Sequence, residues 1–183
     1  AHSFAVNFDS AYLFYPFHQP HGKSLSGMLT FSKYQMTDSL RRSLPVEESL
    51  MRFVDLDRCY VVSRISVDNG KELILYTAHL SAYTSDGTIA TQQLELLTAD
   101  MQREFEKGNY VVCGGDFNKD LLGDSSRYFG MSAGDNTWAQ PFPTEVLSGT
   151  EIDLIAPVNE PEMIPTTRYT DAPYHENQLT VTV

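Results

Sequence analysis

Apolar and polar positions change rhythm several times along this chain, and those changes predict its elements. Cys59 to Val67 reads Cys-Tyr-Val-Val-Ser-Arg-Ile-Ser-Val, a strand-like run closed by Asp68-Asn69-Gly70-Lys71. Asn-Gly favours the positive φ angles of a type I′ turn, so a hairpin is expected there. Glu72 to Ala78 is the returning strand, and His79-Leu80 ends it. A loop with the turn formers Ser85-Asp86-Gly87 follows. From Thr88 to Lys107 the apolar residues Ala90, Leu94, Leu97, Met101 and Phe105 recur at helical spacing, and Gly108 supplies the stop. Tyr110 to Cys113 is the next strand. Hairpin, helix and strand together make an α/β layered unit.

The flanks are less regular. Phe4, Val6 and Phe8 near the start, and Leu179, Val181 and Val183 at the end, alternate with period two. They read as strands with one apolar face. Residues 8–22 are aromatic and broken by proline. His18 and His21 flank Pro20 in a turn, a pair too poor in nearby acids to make a metal site. Arg41-Arg42 reads as a solvated face, with Arg42 a candidate for a substrate rim. Beyond Leu121 stand six of the nine prolines, a composition of surface loops.

The run Val111-Val112-Cys113-Gly114-Gly115-Asp116-Phe117-Asn118 carries the candidate chemistry. An apolar strand ends in two glycines, where backbone or ligand can approach closely. Asp116 and Asn118 follow at its C-terminal mouth. A carboxylate can orient or deprotonate water, and an amide can donate to a developing oxyanion. The plain alternative is a strand followed by an Asx turn. His79 stands at the end of a second apolar strand, either as a functional group or as a hydrogen-bonded structural residue.

Composition narrows the partners. The chain has 183 residues, 42% of them hydrophobic, the size and content of one domain spanning 1–183. No apolar run reaches the ~18 residues of a membrane span. The net charge of −11 argues against a duplex nucleic acid, whose affinity comes from cations neutralising phosphates. Cys59 and Cys113 sit in apolar strand patterns and read as buried, reduced thiols. Nothing here fixes compartment or oligomeric state.

Strand-His-Leu, helix, then strand-Gly-Gly-Asp-Phe-Asn resembles the endonuclease/exonuclease/phosphatase superfamily, the DNase I-like fold. The matching residues are Thr77-Ala78-His79-Leu80 and Gly115-Asp116-Phe117-Asn118, and the ordered pair is more specific than either tetrapeptide. Ser26 to Tyr34 is similar to the family's glycine-led strand ending in Ser-Lys/Arg-Tyr/Phe. Within the family the chain is most similar to a group of bacterial members. They share Asp55-Leu56-Asp57-Arg58-Cys59, His79-Leu80-Ser81-Ala82-Tyr83, Lys107 to Asn118, and Trp138-Ala139-Gln140-Pro141-Phe142-Pro143.

The resemblance implies a four-layer α/β sandwich, two packed sheets flanked by helices. It implies a metal-dependent phosphoesterase, with His79 and Asn118 contacting phosphate and Asp116 positioning the attacking water. The cofactor would be Mg²⁺, with Mn²⁺ or Ca²⁺ as alternatives. The substrate would be a phosphate mono- or diester, and the acidic charge tilts the choice toward a small or lipid-derived one over nucleic acid. The family's metal-binding Gln-Glu and its late Ser-Asp-His are not in this sequence. The chain therefore reads as an internal part of a longer enzyme, incomplete at both ends and nearly inert alone, with the main metal ligand outside it. In a rival reading, Glu151-Ile152-Asp153-Leu154-Ile155 is the family's late strand and Asp171 replaces the acid of Ser-Asp-His. A non-catalytic binding or scaffold domain on the same fold is the alternative function.

Overall fold

A computed structural model describes residues 1–48, 55–82, 88–124 and 140–155. Six strands, one α-helix and a short 3₁₀ helix are defined among them: β1 (His2–Leu13), β2 (Gly22–Phe31), β3 (Asp38–Ser43), β4 (Cys59–Ser66), β5 (Glu72–His79), α1 (Thr88–Glu106), β6 (Tyr110–Asp116) and the 3₁₀ turn Thr144–Leu147. The chain divides into two compact units. One holds Ala1–Phe117 and Glu145–Ile152, the other Asn118–Thr144 and Asp153–Val183.

The first unit is α/β with two sheets. β1 and β2 form an antiparallel ribbon. The second sheet has the order β3-β4-β5-β6, antiparallel except for the β5–β6 pair. A parallel pair needs a crossover, and α1 provides it. Its buried side chains, among them Ala90, Gln93, Leu94, Leu97, Met101 and Glu104, recur every three to four residues. Under them lie Tyr60, Val62, Ile74, Tyr76 and Ala78, the apolar face of the four-stranded sheet. A side chain the size of Val62 or Ile74 contributes about 1.5–3 kcal/mol by leaving water. Described residues thus give three layers: ribbon, sheet and helix.

Polar contacts tie the ribbon to the sheet beside the buried Ala5, Val61 and Ile65. Thr30 meets Thr77 at 2.8 Å. Ser63 lies 3.3 Å from Ser3 and 3.2 Å from Ser39. Arg41 Nε donates to the Val6 carbonyl at 2.7 Å. β1 alternates as expected, and the side carrying Phe4 is the outer one. Ala5 and Asn7 are buried while Phe4 is 55% exposed. β3 was not expected at all: its only strongly apolar residue is Leu40, and Arg41 turns inward to serve backbone acceptors rather than solvent.

The β4–β5 turn also differs from expectation. Gly70 N–H donates to Val67 O and Val67 N–H to Lys71 O, closing a three-residue loop. Gly70 has φ +77°, and Asn69 is not among the residues with positive φ. This is a type I turn with a left-handed glycine behind it, not type I′. α1 ends as predicted, with Gly108 N–H on the Phe105 carbonyl at 2.7 Å, although Phe105 itself is exposed and Glu104 takes the inward place. No described helix is long and apolar enough to cross a membrane. Cys59 is buried, Cys113 half-buried, and both are free thiols.

In the second unit, Asp120 and Pro141 form a parallel bridge. The Asp120 carboxylate accepts from the backbone of Leu122 and Gly123, an Asx turn. Residues 151–155 form no strand, contrary to the rival reading. Asp171 and Leu179 to Val183 lie outside the described residues.

Candidate active site at the ends of two parallel strands

β5 and β6 run parallel with His79 in register with Asp116. Residues in register on neighbouring strands point to one face, so the two side chains emerge together. His79 Nε2 stands 4.0 Å from Asp116 Oδ2, with side chains 24% and 43% exposed. Both face the ribbon rather than the helix.

The strand ends are tied down from several sides. Leu80 N–H donates to the Asp116 carbonyl at 2.9 Å, extending the parallel ladder past His79. The buried Arg58 guanidinium donates to the Leu80 carbonyl at 2.9 Å and reaches Asp55 at 3.4 Å. Gln93, fully buried in α1, holds both the backbone and the hydroxyl of Ser81. Gly115 has φ +151°, and a Cβ there would strike the Ala78 carbonyl oxygen and approach its nitrogen to 2.8 Å. Only glycine lets β6 lie this close to β5 just before Asp116. Gly114, by contrast, faces open space.

Asn7 joins this site from the ribbon. Its amide lies 3.1 Å from His79 Nδ1. The apolar alternation around it drew attention to Phe4, Val6 and Phe8. Local spacing carried no signal for Asn7, because the buried face of β1 is the one with Ala5 and not the one with the larger apolar side chains. Cys59, opposite His79 on β4, is fully buried, and that burial raises its thiol pKa above the ordinary value.

Asn118 is the first residue of the second unit and is buried, with φ +51°, a conformation that Asn tolerates better than most side chains. Arg42 is placed elsewhere. It lies opposite Tyr60 on the helix-facing side of the sheet and pairs with Asp100 of α1 at 3.3 Å. His79 occupies the other face, so the structure does not bring Arg42 to it. Among the described residues, no three His, Cys, Asp or Glu side chains are grouped to hold a metal ion.

The model of the Endonuclease/Exonuclease/phosphatase family matches residues 2–180. The chain belongs to this family. Solved structures to which the chain is similar include the human Nocturnin catalytic domain with bound sulfate, at 16% identity and TM-score 0.46, covering 72% of this chain and 48% of that one. ANGEL2, a 2′,3′-cyclic phosphatase, is 16% identical with TM-score 0.44, covering 70% of this chain and 35% of that chain. D. rerio TDP2 with a single-strand DNA product is 16% identical with TM-score 0.43, covering 71% and 43%. This family member spans about half the length of these structures or less. No curated protein matches the chain.

Proposed function

We propose that the full-length protein is a phosphoesterase that cleaves a phosphate ester by in-line attack of water. The observation that supports it most is the register of His79 with Asp116 at the mouth of two parallel strands, in a chain of this family. Asp116 orients the attacking water and accepts its proton. His79 donates from Nε2 to a non-bridging oxygen, and the family resemblance gives Asn118 a phosphate-contacting role as well. A donor gains strength as negative charge grows on such an oxygen.

A divalent cation, Mg²⁺ first, is part of this reading, because it would polarise the phosphoryl oxygen. Asp116 offers one partly exposed carboxylate, and the described residues do not complete a ligand set for such an ion. The net charge of −11 favours a small or lipid-derived ester over a nucleic acid.

The test is release of nitrophenolate from p-nitrophenyl phosphate and bis(p-nitrophenyl) phosphate by the full-length protein, with and without EDTA. Activity that EDTA abolishes, Mg²⁺ restores and His79→Ala lowers supports the proposal. A folded wild-type protein silent on both esters and on phosphodiester lipids would favour a binding role for the fold instead.

A further inference from the structure

Asn7 is 3% exposed, and a buried amide is costly unless its polar atoms are used. Here both ends are used. Oδ1 accepts from the Ser26 hydroxyl at 2.9 Å, and Nδ2 faces His79 Nδ1 at 3.1 Å. The backbone aims the side chain. The β1–β2 register slips between Val6 and Phe8, leaving Asn7 as the extra residue of a bulge. A bulge re-aims a side chain that a regular ladder would fix. The Asn7 carbonyl also accepts from Asp57 N–H at 2.6 Å, which holds the bulge against the segment leading into β4.

A neutral imidazole has a proton on one nitrogen and a lone pair on the other. An amide NH₂ only donates, so it requires the lone pair at Nδ1. The other nitrogen, Nε2, lies 4.0 Å from the Asp116 carboxylate. An ionised carboxylate only accepts, and its field favours a proton on the nitrogen facing it. Both neighbours select the same form of the ring. We propose that Asn7 is a positioning residue that sets the tautomer of His79, with the lone pair on Nδ1 and the proton on Nε2. The Ser26 hydroxyl, 2.9 Å from Oδ1, serves the far end of the amide. Because a hydroxyl can donate or accept, the orientation is set from the ring side, where Asp116 favours the proton on Nε2 and leaves Nδ1 to accept from the amide.

The consequence for catalysis rests on the phosphoesterase reading. A ring held with its proton on Nε2 meets a phosphate oxygen as a hydrogen-bond donor. Activation of water is then left to Asp116.

Long-range ¹H–¹⁵N correlation spectra of the full-length protein, recorded where His79 is neutral and assigned with His79→Gln, read the tautomer without any substrate. The expected wild-type pattern is Nε2–H. Asn7→Asp has nearly the same shape but presents an acceptor, so the pattern should invert to Nδ1–H. Ser26→Ala, at an exposed position, should leave the ring as Nε2–H, because the amide still presents its donor to Nδ1. A wild-type Nδ1–H ring would overturn the proposal, as would an Nε2–H ring unchanged in Asn7→Asp. Turnover of bis(p-nitrophenyl) phosphate should fall by about 10²-fold or more in Asn7→Asp, the scale of losing one donor to a developing oxyanion. Inversion of the tautomer with turnover unchanged would uphold the role of Asn7 and count against the phosphoesterase reading of His79.

Discussion

Gln93 and Ser81 exchange two hydrogen bonds. Ser81 N–H donates to Gln93 Oε1 at 2.9 Å, and Gln93 Nε2 donates to the Ser81 hydroxyl at 2.9 Å. A third bond, to the Pro45 carbonyl at 2.6 Å, completes the amide. Gln93→Leu keeps the volume but orphans these buried groups, each worth about 1–3 kcal/mol when left unsatisfied. We expect a loss of at least ~1 kcal/mol in urea denaturation. An unchanged midpoint would show that the chain after His79 is not anchored through α1.

Asp116→Asn in the full-length protein should lower kcat by ~10²-fold or more, since general-base assistance contributes 10²–10⁴-fold. The amide keeps the shape of the carboxylate, so the melting temperature should change little. Steady-state kinetics alongside thermal melts separate the two effects. A variant with wild-type kcat would remove Asp116 from the mechanism.

Two tyrosines under α1 should respond oppositely to loss of the hydroxyl. Tyr60 Oη donates to Asp100 at 2.9 Å. Tyr76 is fully buried, and its hydroxyl has no partner among the described residues. Tyr60→Phe should cost about 1–3 kcal/mol, because its bond is to a charged group. Tyr76→Phe should be neutral or stabilising. Equal losses in chemical denaturation would contradict this contrast.

Glu104 predicts a pH dependence. Arg64 donates to its carboxylate at 2.6 and 3.2 Å, Lys107 at 2.8 Å and Asn109 at 2.9 Å. The Arg64 contacts above all lower its pKa from 4.5 to about 2, against the opposing effect of burial. The folded value lies below the unfolded one. The stabilisation is therefore fully present above pH 4.5 and disappears as pH falls toward 2. Glu104→Gln should flatten the decline of the urea midpoint across that window. A decline as steep as in wild type would assign the acid sensitivity to other carboxylates.

The sequence made the centre of the fold legible because packing there follows the backbone period. β4, β5, α1 and β6 each bury a face whose apolar spacing is readable, and the strand-end positions of His79 and Asp116 followed from where those runs stop. β3 was hidden because an edge strand is often polar, and Arg41-Arg42 looks the same in a strand as on a solvated loop. In β1 the period was legible, but which face turns inward was not. Hydrophobicity marks the inward face poorly where that face carries polar contacts, and the ribbon meets the sheet partly through Ser, Thr and Asn. Asn7 was missed for the same reason. Its importance lies in a bulge and in a partner 72 positions away, neither of which local spacing encodes.

The spacing of imidazole and carboxylate at the strand mouth is governed by an atom that does not exist. Gly115 lets one backbone settle onto another, and a single methyl would act as a wedge between Ala78 and the strand carrying the acid. The geometry of this pair is thus adjustable from the residue preceding Asp116, with neither ionisable group altered. Separation and chemical identity, which most substitutions change together, are independent dials here.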